Sequence, residues 1–98
     1  MQQYMVDVKL PDELTEEMVL LIPAQRRKVN DYLGKGIIVS YTLALDRSKL
    51  WIVIAAKSEK DVKNIINSFP LKNFMHYKLH ELAFSDQVSN VISTLSLN

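Results

Sequence analysis

The 98 residues suit one domain with a single modest core, and twelve basic against eleven acidic side chains leave a net charge of +1. That balance gives no electrostatic case for a nucleic-acid or membrane partner. With no cysteine, disulfides and thiolate metal sites are excluded, while a hydrophobic fraction of 48% with two glycines and three prolines predicts a compact, element-rich protein.

In chain order, Met1-Gln2-Gln3-Tyr4 carries no basic region followed by an apolar run, so no signal peptide is expected. The longest apolar stretch is far short of a membrane span, which makes a soluble, cytoplasmic protein the default. Tyr4, Val6, Val8 and Leu10 alternate with Met5, Asp7 and Lys9, predicting a half-buried strand that Pro11 ends. Thr15 is the expected N-cap of a first helix, with Glu16 and Glu17 favourably placed at its positive end. Met18, Ile22, Val29, Tyr32 and Leu33 form its apolar stripe, and Gly34 and Gly36 close it. Pro23 inside that pattern predicts either a kink or a short first turn after which the helix restarts.

Two strands follow over Ile37–Leu45 and Lys49–Ala56, joined by the polar turn Asp46-Arg47-Ser48. The second of them is apolar on both faces, with Leu50, Ile52 and Ile54 on one and Trp51, Val53 and Ala55 on the other. Two helices cover only one face of such a sheet, so the other calls for a partner subunit. Ser58 and Asp61 open a second helix in the manner of a capping box, with Val62, Ile65, Ile66 and Phe69 as its stripe. Pro70 breaks the chain, and a last strand is expected from about Phe74 to Ala83. Ser85 then caps an expected amphipathic helix bearing Val88, Val91, Ile92 and Leu95. The predicted architecture is α+β: a β-α-β-β-α-β sandwich over residues 1–84, with a helical tail over 85–98 as an assembly arm.

Several short runs recur at a telling spacing: Val8-Lys9-Leu10-Pro11, Gly36, Ser58, Pro70-Leu71, Phe74-Met75 and Leu82-Ala83. Together, over roughly residues 3–83, they resemble the muconolactone isomerase family. The resemblance implies a ferredoxin-like sandwich and a homo-oligomer in which sheets of two subunits pack together, from a dimer up to a decamer. It also implies a proton shift within an unsaturated lactone that carries a free carboxylate, with no cofactor and no metal. Such chemistry asks for a base at the acidic carbon and donors for the developing enolate and the carboxylate.

By the same resemblance, the family's base, a glutamate on the first helix, falls at Gln25. Its tyrosine and asparagine fall at Ser48 and Leu50, and its basic residues at Val39, Ser40 and Leu43. An amide accepts no proton, so the expected function is a muconolactone-isomerase-like protein that lacks the family's catalytic set and holds a small molecule between subunits. Two alternatives stand beside it: a cofactor-independent isomerase using His76, His80 or Tyr41, and a purely structural oligomeric module.

The remaining polar groups have plainer readings. On a strand His76 and His80 share a face but lie about 13 Å apart at ~3.3 Å per residue, too far for one metal ion. With Lys78 between them they form a basic strip or a solvated strand face. Tyr41, Trp51 and Tyr77 are pocket, core or interface aromatics. Arg26 and Arg27, in the basic cluster Gln25-Arg26-Arg27-Lys28, are expected to face solvent.

Overall fold

The computed structural model describes residues 1–86. Strand β1 (Gln2–Lys9) leads to helix α1 (Glu16–Gly34), then strands β2 (Ile38–Leu43) and β3 (Lys49–Ala56), helix α2 (Glu59–Asn67), and strand β4 (His76–Leu82). A single 3-10 turn at Lys72–Phe74 precedes β4. The four strands lie in the order β2-β3-β1-β4, every neighbouring pair antiparallel. This is the ferredoxin-like α+β arrangement predicted from the sequence.

Register decides which residues meet the helices. Val8 stands opposite Leu50 and Tyr77, Val6 opposite Ile52 and Leu79, and Tyr4 opposite Ile54 and Glu81. Directly opposed residues point to the same face, so these rows form one side of the sheet. Their apolar members, with Ile38, Val29, Val62, Ile66 and Phe69, make the core between sheet and helices. The alternate residues Met5, Asp7, Lys9, Trp51, Val53, Ala55, His76, Lys78, His80 and Leu82 take the other side, as the alternation predicts.

The helix ends follow the expected chemistry. Thr15 Oγ1 accepts from the Met18 N–H at 3.2 Å, and Ser58 Oγ accepts from the Asp61 N–H at 3.3 Å, each satisfying one of the free donors of a first turn. After α1, Gly36 adopts φ 72°, a left-handed conformation in which a side chain would be strained. Helix α1 runs through Pro23 as one span and does not restart there. Pro23 is exposed, and so is Val19, four residues earlier, which leaves the carbonyl without a helical partner near solvent. The expected stripe of α1 is only partly inward: Met18 and Val29 are buried, whereas Ile22 and Leu33 are exposed.

Two other boundaries differ from expectation. β4 starts at His76, not Phe74, because Phe74 closes the 3-10 turn with its N–H on the Leu71 carbonyl. β2 ends at Leu43, and Ala44–Ser48 form the hairpin loop. The proposed tail helix bearing Val88, Val91, Ile92 and Leu95 lies outside the described residues. Among those described, no helix is long and apolar enough to cross a membrane.

Candidate functional site

A cavity opens on the helix side of the sheet, at the end where β1 stops and the β2–β3 hairpin turns. Its volume is about 580 Å³. Met18, Ile22, Gln25, Arg26 and Val29 descend from α1, Tyr41, Leu43 and Leu50 rise from the sheet, and Leu71 and Met75 close it below. The loops after β1 and within the hairpin supply its mouth, with Asp12, Asp46, Arg47 and Ser48.

Gln25 is the buried polar side chain of the described core, 5% exposed. The Leu71 backbone N–H donates to its Oε1 at 3.1 Å, which fixes the orientation of the amide. Its Nε2 then faces Tyr41 and donates to the hydroxyl oxygen at 3.4 Å. Helix α1, strand β2 and the segment after α2 are thereby tied together by one carboxamide. The Tyr41 oxygen already accepts, so its own proton is free to be donated to something in the cavity.

The mouth is built by the hairpin. Arg47 N–H closes a turn on the Ala44 carbonyl, and Ala44 N–H pairs with the Lys49 carbonyl. Arg47 itself has φ 65°, the left-handed region that a residue with a Cβ seldom enters. Asp46 Oδ1 accepts from the Ser48 N–H at 3.0 Å and from the Ser48 hydroxyl at 2.7 Å. The Ser48 backbone donor first, and its hydroxyl second, hold the Asp46 carboxyl below the usual carboxylate range. An acid stabilised in its ionised form is a weak base, and its hydrogen-bonding capacity is in part committed to the turn.

Arg26 and Arg47 are exposed residues of the cavity lining, and neither guanidinium has a carboxylate within 4 Å among the described residues. The charged lining is balanced in number, two arginines against two aspartates, with Asp46 partly committed to Ser48 and the Tyr41 hydroxyl left as a neutral donor. Asp12 and Asp46, both exposed at the rim, are the counter-charges.

Of the residues singled out by sequence, Gln25, Ser48, Leu50 and Tyr41 come together in this cavity. His76 and His80 do not. The register sets them opposite Lys9 and Met5 on the other face of the sheet, both exposed. Among the described residues no group of three histidine or acidic side chains could hold a metal ion. Of the aromatics, Tyr41 and Tyr77 are on the helix side and Trp51 on the open side. Arg26 is exposed and Arg47 sits in the hairpin turn, as the sequence reading expected; what it missed is that both line the cavity. The available signal was their adjacency to Gln25 and Ser48.

No family model matches the chain, and no curated protein matches it. Among solved structures it is similar to 5-chloro-2-hydroxyhydroquinone dehydrochlorinase from Burkholderia phenoliruptrix AC1100, in complex with 2,5-dihydroxybenzoquinone. The TM-score is 0.70, with 85% of this chain and 95% of that one covered, at 10% identity. The fold is shared. At that identity the likeness concerns the fold alone.

Proposed function

We propose that the cavity beneath α1 binds a small, ring-sized anion, and that the chain lacks the proton shift of the muconolactone isomerase family it resembles. The observation that carries this is Gln25: the position of the family's base holds an amide whose oxygen is occupied by Leu71 N–H. A volume near 580 Å³ lies within the roughly 300–1,000 Å³ of small-molecule sites. The apolar walls of Met18, Val29, Leu50 and Met75 suit a ring, and Arg26, Arg47 and Tyr41 suit ionised oxygens on its edge. The neighbour's complex with 2,5-dihydroxybenzoquinone supports a ligand of this size. Placement in the family itself, and the cytoplasmic setting, are part of the same reading.

The reading includes assembly. Trp51, Val53, Met5 and Leu82 give the open face an apolar centre, which supports packing of two subunits through it. An active isomerase with a different acid–base group would have Tyr41 as its group in the cavity, because His76 and His80 stand on the other side of the sheet.

The test is a titration of the full-length protein with muconolactone and with 2,5-dihydroxybenzoquinone, read by amide NMR and by assay for the enol-lactone. Saturable shifts at Tyr41, Leu50, Leu71 and Met75 without turnover are expected. Arg26→Ala and Arg47→Ala should each weaken binding about tenfold, the loss of one charge-assisted contact. Turnover would overturn the missing-base argument. Absence of shifts in the cavity with both probes would favour the structural module.

A further inference from the structure

A second, separate feature lies on the open face of the sheet, at the same end but on the side away from α1. Lys9 of β1 stands directly opposite Lys49 of β3 on one flank and His76 of β4 on the other. Asp7, the next position of β1 on that open face, stands opposite Lys78. These residues line a shallow cavity of about 290 Å³ together with Tyr77.

Like charges directly opposite one another on antiparallel strands are destabilising, and here Lys9 has a basic side chain on each side. Asp7 is the single carboxylate of the group. Its Oδ1 is enclosed and lies 2.6 Å from Lys49 Nζ, with the two side chains about a third exposed. That pair accounts for one lysine. Lys9 and Lys78 are exposed and have no carboxylate within 4 Å among the described residues, and His76 stands beside them. The cluster carries a surplus of two positive charges, three when His76 is protonated, on a chain whose net charge is only +1.

We infer that the open face carries an anion site in which Lys9, Lys78 and His76 receive a phosphoryl group, with Lys49 held in place by Asp7. Three donors lining one shallow cavity, Lys9 on β1 and His76 and Lys78 on its neighbour β4, match a tetrahedral, multiply charged oxyanion better than a single carboxylate. Bound there, the anion relieves the repulsion between Lys9 and its neighbours. The site is distinct from the cavity under α1, since the sheet lies between them.

This predicts a trade between stability and binding. In phosphate-free buffer Lys9→Ala should melt higher than wild type, because a like-charge contact is removed. Wild type should gain stability on adding inorganic phosphate, with saturable NMR shifts at Lys9, Lys49, His76 and Lys78, while chloride at matched ionic strength leaves those signals unsaturated. Lys9→Ala and Lys78→Ala should each weaken phosphate binding by roughly tenfold. Phenyl phosphate binding more tightly than inorganic phosphate would assign a phosphomonoester, and the reverse order the free ion. Equal responses to phosphate and chloride would overturn the proposal and leave the lysines as charges that keep the edge strand β4 from pairing. So would phosphate binding that is unchanged in both variants.

Discussion

Removing the Gln25 carboxamide leaves the Leu71 N–H without its acceptor and Tyr41 without its donor. Gln25→Ala should therefore lower stability by about 1–3 kcal/mol, the range for a buried donor left unsatisfied, as read from urea unfolding. Gln25→Glu should lose less, because its carboxylate accepts from Leu71 and Tyr41 can reverse to donate. Ranking the two variants by thermal melting checks that the carboxamide acts through these two partners. Asp46 offers a pH test at the same scale. Its folded-state pKa is depressed by Ser48, so the stabilisation is present above the ordinary carboxylate range and is lost as pH falls through the folded value. Ser48→Ala should return the Asp46 carboxyl toward its usual range in an NMR titration. The stability gap to wild type should be present at neutral pH and close in acid. Among these residues Gln25 was legible as inward-facing from helical spacing alone. The place of Arg26 and Arg47 on one cavity lining was not, because it depends on how far α1 lies from the hairpin.

The hairpin and the two helices behave differently as elements. At the hairpin tip Arg47 occupies a left-handed conformation that costs a residue with a Cβ roughly 1–2 kcal/mol. Arg47→Gly should relieve that strain, offset in part by glycine's greater unfolded-state entropy, for a net gain of up to about 1 kcal/mol. The same change should weaken anion binding in the cavity, so stability and affinity move in opposite directions. Helix α2 is mainly a core element. Its Val62 and Ile66, with Phe69 just beyond, are fully enclosed, and the Phe69 ring meets Tyr32 edge-on at 5.9 Å between centroids. Phe69→Ala should cost about 3–5 kcal/mol in denaturant unfolding, with both transfer and cavity terms lost. These elements were legible because capping residues, the β3 alternation and the α2 stripe all agree with their environments. Helix α1 was harder to read. Its stripe includes Ile22 and Leu33, which are exposed. Pro23 produced no restart, since its exposed side of the helix lets water satisfy the orphaned carbonyl.

At the scale of the whole molecule, the sheet separates two chemistries. The helix side holds an apolar cavity with arginines at its mouth, and the open side holds an apolar centre with a basic end. The two-faced β3 is the sequence feature behind the proposal that a second subunit covers the open side. We expect sedimentation at micromolar concentration to give a dimer or larger species, with Trp51→Lys shifting it toward monomer. A stable wild-type monomer would remove that inference. The faces of the strands followed from periodicity, whereas strand order and the segregation of Tyr41 from His76 and His80 emerged only once the strands were in register.

The most direct test of the central claim is an incubation of full-length protein with muconolactone in an NMR tube, following protein and small molecule together. The account predicts saturable shifts at Tyr41, Leu50, Leu71 and Met75 while the muconolactone signals persist and no enol-lactone grows in. Formation of the enol-lactone, abolished by Tyr41→Phe, would contradict it and place a working acid–base group in the cavity despite the amide at Gln25.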